Sequence, residues 1–337
     1  MFAQTDSPPE ILRPSARKKP VVAPISVETA PVSKALPRWT TPNDAANPPL
    51  ESIALRAGAN LFALDAIIRA EPAWLGCFRQ RQALDAAVSC ARILRLDADV
   101  ASLRDAKNLT RVGDDPGAAV KMLEAWAMIA AHPTRFDATT PKNLAEKLGF
   151  SIADEAIVAP SQASDPVATA AATAQGAFRA AVAQQRETFA AEIFAFMLAD
   201  IALAKKLGWH APVPLFAASI FDATLRSFLG GRRARVIDST WRADAYAIIA
   251  HACASAFLRA QEIERRAEGF LAAAKKVRTK GAGAAIEAFL NEDSVAPKTL
   301  AKKLGSDRAA RRFCERLEKL GGARELTGRP TFRLYGL

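Results

Sequence analysis

From Leu50 to about Lys276, apolar residues recur at intervals of three and four, the spacing of helices that bury one face. Alanine is abundant in this stretch and β-branched runs are short, which favours helix over strand. Ile53, Leu55, Leu61, Leu64 and Ile67 form the first stripe and predict a helix over 50–70, ended by Glu71-Pro72. A second helix is predicted from Trp74 to about Leu94, through Leu84, Ala87, Val88 and Ala91. A third follows Pro116, which suits a first helical position because that N–H has no partner in any case. Asp114 and Asp115 stand just before it, where carboxylates complement the positive helix end. Long helices are predicted over 174–207 and 239–276, with the stop signals Leu207-Gly208 and Pro212-x-Pro214 between them. Gly230-Gly231-Arg232-Arg233 is read as an exposed basic loop, and an Ala/Ser/Pro segment at 159–173 is a point where the helical region could divide.

The pattern is sharpest over 282–337. A short amphipathic helix carries Ala285, Ile286, Phe289 and Leu290, and Asn291-Glu292-Asp293-Ser294 breaks it. Pro297 to Leu304 makes a second helix, closed by Gly305 in a position suited to a left-handed cap. Ser306 or Asp307 caps a third, running to about Leu320, where Gly321-Gly322 stops it. In this third helix Ala310, Phe313, Leu317 and Leu320 face a core, while Arg308, Arg311, Arg312, Glu315 and Lys319 face outward. Two short strands, Arg324–Thr327 and Thr331–Tyr335, flank Gly328-Arg329-Pro330 and predict a hairpin with Arg329 at its tip. Three helices followed by a hairpin predict a winged helix-turn-helix.

This pattern has an echo. Pro141 to Gly149 matches Pro297 to Gly305 at seven of nine positions, so 141–149 reads as the second helix of another helix-turn-helix or as a chance likeness between short Ala/Lys/Leu helices. At the other end, residues 1–49 hold ten of the twenty prolines, a density that opposes helix and sheet and predicts a disordered tail. The expected organisation is mainly α: a Pro-rich tail over 1–49, an all-α multi-helix domain over 50–276 and a winged helix-turn-helix over 277–337.

Composition changes this picture mainly through charge. The net charge is +11, from 46 Lys+Arg against 35 Asp+Glu. Residues 275–337 hold 15 basic and 7 acidic residues, whereas the 227 residues of 48–274 hold 25 and 24. The basic pI near 9.7 is therefore mostly a property of the C-terminal segment, and a localised basic surface attracts polyanions. The four cysteines include no C-x-x-C pair and read as buried thiols in a reducing compartment. With no apolar leader at the start and no apolar run longer than about 15 residues (Phe189–Leu203, broken by Glu192 and Asp200), a cytoplasmic protein without a membrane span is expected.

Candidate enzyme chemistry is thin. No H-E-x-x-H, Walker, G-x-G-x-x-G or G-x-S-x-G motif is present, and no cofactor or metal is expected. His132, His210 and His251 lie far apart, and His251 and Cys253, two residues apart on a helix, do not share a face. One central stretch mixes charges with apolar helix residues: Arg69, Glu71, Arg79 and Arg81 form a possible polar pocket, or else caps and salt bridges between two antiparallel helices. Asp105, Arg111, Asp114 and Asp115 read as a helix–loop–helix junction, and Trp39, Trp74, Trp126, Trp209 and Trp241 as core or junction anchors.

Several runs together resemble an uncharacterised family of alphaproteobacterial, often plasmid-encoded proteins. They are Arg56-Ala57-Gly58-Ala59, Leu64 to Ala70, Trp74-x-x-Cys77-x-Arg79-Gln80-Arg81-x-Ala83-Leu84, Gly113 to Gly117, Lys206 to Trp209 with Pro212 to Leu215, Lys280 to Ala285, and the ending Arg324 to Tyr335. The resemblance covers roughly 50–337 and implies a bacterial cytoplasmic setting, but no activity and no catalytic residues.

The leading functional expectation is a DNA-binding accessory or regulatory protein. Arg308, Arg311, Arg312, Lys319, Arg329 and Arg333 would contact double-stranded DNA, and the central helices would self-associate as a homodimer or receive a protein partner. An interaction module docking an acidic partner is the alternative, and an enzyme with its site at the polar pocket is the third.

Overall fold

In the computed structural model, which describes residues 35–41, 48–111, 113–131, 139–149, 163–184, 188–329 and 332–337, the chain is mainly helical, with one two-stranded sheet near the C-terminus. The helices are α1 (Leu50–Arg69), α2 (Leu75–Ile93), α3 (Val100–Leu109), α4 (Ala118–Ala131), α5 (Thr139–Lys147), α6 (Pro166–Ala183), α7 (Thr188–Leu207), α8 (Phe216–Ser219), α9 (Ala223–Phe228), α10 (Trp241–Ala274), α11 (Ala282–Asn291), α12 (Pro297–Leu304) and α13 (Asp307–Lys319). The strands are β1 (Arg324–Glu325) and β2 (Tyr335–Gly336).

The longest element, α10, has 34 residues and so spans about 50 Å. It packs on α1, α2, α6, α8 and α13, while α6–α7 and α2–α4 form two further extensive pairs. The core around it is aromatic: Phe194, Phe196, Phe216, Trp241, Phe257 and Phe270 are fully buried. Trp241 shows how such a ring is accommodated. Its centroid lies 6.0 Å from those of both Phe196 and Phe216, and its indole N–H donates to the Ala171 carbonyl at 2.9 Å, so the one polar atom is satisfied.

Buried carboxylates fasten the loops to this core. Asp200 of α7 accepts from the N–H groups of Leu215 and Phe216 at 3.0 and 3.3 Å, and its burial, opposed by these two bonds, pushes the carboxyl well above the ordinary range. Glu192 of α7 accepts from Arg233 at 2.9 Å, and Asp244 of α10 accepts from both terminal nitrogens of Arg232 at 2.6 Å. The basic loop at Gly230–Arg233 is exposed over residues 230–232, as expected, and it is also a clamp: its arginines bond to the two buried acids, and Arg233 lies over the Phe221 ring.

The expected helix over 174–207 is two helices, α6 and α7. Asp165 caps α6, accepting from the N–H groups of Val167 and Ala168, and Pro166 follows as its first residue. Asp165 also accepts from the Tyr246 hydroxyl at 2.6 Å, which joins α6 to α10. Burial, then the Asp165 hydrogen bond and charge, push the Tyr246 phenol up to about 12. Asp165→Ala removes the cap and the Tyr246 acceptor together and is expected to lower stability by about 1–2 kcal/mol in denaturant unfolding. A loss below a few tenths of a kcal/mol would show that the cap is replaced by water.

Of the expected tail over 1–49, residues 1–34 and 42–47 lie outside the described residues. Within the described part, Arg38–Thr40 forms a 3-10 turn with Thr40 buried, and the Thr40 carbonyl accepts from Asn60 of α1. The four cysteines are buried and free, and burial pushes the thiols of Cys77, Cys90 and Cys314 up to about 12. His251 is a packed core residue edge-on to Phe228, and burial holds its pKa down to about 4. His132 lies outside the described residues. Trp39 departs from its expected role as an anchor, because it is exposed.

Candidate nucleic-acid interface

The C-terminal segment is built as a run of short helices with sharp stops. Gly281, at φ +82°, opens α11. Residue Val295 then pairs with Tyr335 through two backbone hydrogen bonds of 2.7 and 2.9 Å, so the chain between α11 and α12 lies beside β2. Gly305, at φ +89°, ends α12 in the left-handed conformation its position suggests. Ser306 then caps α13, its hydroxyl accepting from the Ala309 N–H at 3.1 Å. After α13, β1 and β2 pair antiparallel, with Arg324 opposite Gly336 and Glu325 opposite Tyr335. The hairpin continues through Leu326 N–H to the Leu334 carbonyl, and residues 330–331 of its tip lie outside the described residues.

Helix α13 is strongly two-faced. Ala310, Phe313, Cys314 and Leu317 are buried, whereas Arg308, Arg311, Arg312, Glu315, Arg316 and Lys319 are exposed. Leu320, expected in the core, is 40% exposed, and Cys314 takes the inward position instead. Among the described residues, no side-chain hydrogen bond or ion pair engages Arg308, Arg311, Arg312 or Lys319. Arg333 is also exposed and bonds to the Tyr335 hydroxyl. Arg329 is different. It pairs at 2.8 Å with Asp105 of α3, so the hairpin leans on the central helices instead of standing free.

That ion pair is one of several interactions that lock the segment to the rest of the chain. Asp293, in the break after α11, accepts from Arg104 of α3 through both carboxylate oxygens at 2.6 and 2.7 Å, and from Arg81 of α2 at 3.2 Å. Burial alone would raise the Asp293 carboxyl, but the Arg104 hydrogen bonds and the charges of Arg104 and Arg81 outweigh it and hold the carboxyl below the ordinary range. Arg81 also donates to the Leu337 carbonyl at 2.6 Å, and Arg266 of α10 donates to the same oxygen at 3.1 Å. Phe270 of α10 stacks on Phe289 of α11 at 5.0 Å between centroids.

The four residues of the possible polar pocket do not converge on one site: Arg79 and Glu71 are neighbours, while Arg69 and Arg81 are engaged elsewhere. Arg81 belongs to the Asp293–Leu337 cluster. Arg69 bonds to Asp65 at 2.7 Å and to the Leu207 carbonyl at 2.6 Å. Burial pushes the Arg79 guanidinium down, against the charge of Glu71, which is exposed at φ +45°. Two clefts, of about 800 Å³ beside α3–α5 and about 490 Å³ between α3 and α11–α12, are lined by none of the four. Among the described residues, no group of three or more His, Cys, Asp or Glu could hold a metal ion, and no helix is long and apolar enough to cross a membrane. Asp293, Arg104 and Arg266 carry no motif. Their importance appears only when α2, α3, α10 and the C-terminal segment meet.

In the echo, Leu144 and Ala145 of α5 are buried as Leu300 is in α12, and Gly149, at φ +81°, matches Gly305. Residues 150–162, where a following helix would lie, are outside the described residues.

The arrangement defines a mainly helical protein whose C-terminal helix α13 carries exposed cations that pair with nothing among the described residues. The family model described as a protein of unknown function (DUF1403) matches residues 25–337, and the chain belongs to this uncharacterised family. No curated protein matches the chain.

Proposed function

We propose that the C-terminal segment is a winged helix-turn-helix and that the protein is a DNA-binding accessory or regulatory protein contacting double-stranded DNA through α13. The observation that carries this reading is the set Arg308, Arg311, Arg312 and Lys319: four exposed cations on one helix, each with no acidic partner within the described residues. Unpaired guanidinium groups give up no internal partner when they meet phosphate, and their planar fork suits phosphate and guanine edges. The order helix, short extended segment at Val295, two helices and hairpin supports the winged-helix reading. Arg333 is exposed but bonds to Tyr335, and Arg329 is committed to Asp105, so both contribute less than the four on α13.

The full chain is the right reagent, because Asp293 and Leu337 tie the segment to α2, α3 and α10. Anisotropy titration onto a mixed-sequence duplex should show affinity falling steeply with salt as counterions are released. Arg311→Ala with Arg312→Ala should weaken binding across sequences, with the melting temperature unchanged. The salt slope should fall by about one for each phosphate that is no longer neutralised. Absence of binding to any duplex at about 50 mM salt would overturn the reading.

A further inference from the structure

Helix α1 carries an apolar seam on its outer side. Leu55 is 64% exposed and Phe62 is 76% exposed, although α1 buries Ile53, Leu61, Leu64 and Ile67 on its other side. The exposed positions Glu51, Leu55, Gly58 and Phe62, followed by Asp65-Ala66 and Arg69, are spaced by four, three, four, three and four, which is heptad spacing along one face. The glycine in this seam has no cause within the chain. Gly58 has a helical φ and a Cβ there would meet nothing within 4 Å. Gly76 of α2 lies against Asn291 and Gly322 against Ala273 and Phe270, whereas Gly269 of α10 and Gly283 of α11 are as open as Gly58. Gly58 differs from those two in having an exposed large apolar residue three positions before it and another four after it. A glycine in a helix interior is unfavourable relative to alanine, so an exposed one with free space above it suits a close approach from another molecule.

We infer that this face of α1 is a homodimer seam, in which α1 of one copy packs antiparallel on α1 of a second copy about a two-fold axis near residue 60. The seam is complementary to itself under that operation. Phe62 of one copy falls opposite Gly58 of the other, so the largest side chain seats where there is none. Leu55 falls opposite Asp65-Ala66, and Glu51 opposite Arg69. Glu51 has no ion pair among the described residues, and Arg69 is exposed, with Nε and Nη2 bonded to Asp65 and Leu207. Such an interface uses the same patch on both copies, as two-fold symmetry requires. A single 20-residue helix, about 30 Å long, covers less than the roughly 800 Å² per partner of a stable dimer. The rest of the contact would come from the elements that pack on α1, namely α10 and the 3-10 turn, which carry the exposed Leu258 and Trp39.

Sedimentation velocity of the full chain over a wide concentration range tests this without reference to DNA. The wild type is expected to be a dimer. Phe62→Lys is expected to sediment as a monomer with an unchanged circular-dichroism melt, since Phe62 lies outside the core of its own chain. Gly58→Leu should fill the seat for Phe62 and raise the dissociation constant at least about tenfold, and Glu51→Arg should raise it a few fold by facing Arg69. Ile237→Lys, at another exposed apolar residue outside the seam, should leave the dimer intact. A monomeric wild type at the highest soluble concentration, or a dimer that survives both Phe62→Lys and Gly58→Leu, would overturn the proposal.

Discussion

Asp293→Ala is expected to cost about 3–5 kcal/mol of stability, the range for removing one partner from a buried ion pair. Arg81 and Arg104 have side chains only 8% and 17% exposed, and Asp293 is the carboxylate that both of them reach. Without it, two largely buried guanidinium groups lose the carboxylate that hydrogen-bonds both of them, and Asp85, itself paired with Arg259, is the acidic group left near them. The Arg81 bond to the Leu337 main-chain oxygen persists in the variant, but it does nothing for Arg104, both of whose bonds to carboxylate run to Asp293. Asp293→Asn keeps the shape and one acceptor and should lose less than the alanine variant. Acid separates charge from packing. The folded carboxyl titrates below its ordinary value of 3.8, so its electrostatic contribution is complete above that pH and is lost as the pH falls through the lower, folded value. Denaturant unfolding of wild type and Asp293→Asn should therefore differ clearly at neutral pH and converge in acid. An equal gap at both pH values would assign the effect to packing alone.

The contrast between Asp293 and the arginines of α13 explains what the chain discloses unaided. Arg308, Arg311 and Arg312 declare themselves because one amphipathic helix separates them from Phe313 and Leu317 within 13 residues. The boundaries of α1 and α2 are legible for the same reason, since an apolar stripe meets Pro72 between them. Asp293 reads as a turn residue, because its partners stand 189 and 212 positions away. Arg232 and Arg233 look like a basic loop until Asp244 and Glu192 are brought to them, and Arg329 looks like a free tip until Asp105 meets it. Local signals could have found more. The Asp99-x-x-Ser102 capping box marks the start of α3, which the stripe alone does not reveal. The end of α6 at Ala183 and the start of α7 at Thr188 have no such mark, because strong helix formers such as alanine stand on both sides.

Gly281→Ala should be nearly as damaging as the loss of Asp293, through the backbone instead of charge. The residue sits at φ +82°, where an L side chain costs about 1–2 kcal/mol. A Cβ on it would lie 2.0 Å from the Lys303 carbonyl oxygen, so α12 must also move away from the start of α11, and overpacking of that kind typically costs about 1–3 kcal/mol. Together these give about 2–5 kcal/mol, concentrated at the junction that sets α12 and α13 on α11. Gly283, two residues on, provides the matched control. It is helical and exposed, and a Cβ there meets nothing within 4 Å, so Gly283→Ala should stabilise by a few tenths to about 1 kcal/mol. Denaturant unfolding of the two variants should thus give shifts of opposite sign, and hydrogen exchange should show weakened amide protection in α11 and α12 for Gly281→Ala alone. Shifts of the same sign would mean that the close approach of Lys303 relaxes without cost, and that the placement of the cationic helix does not depend on this glycine.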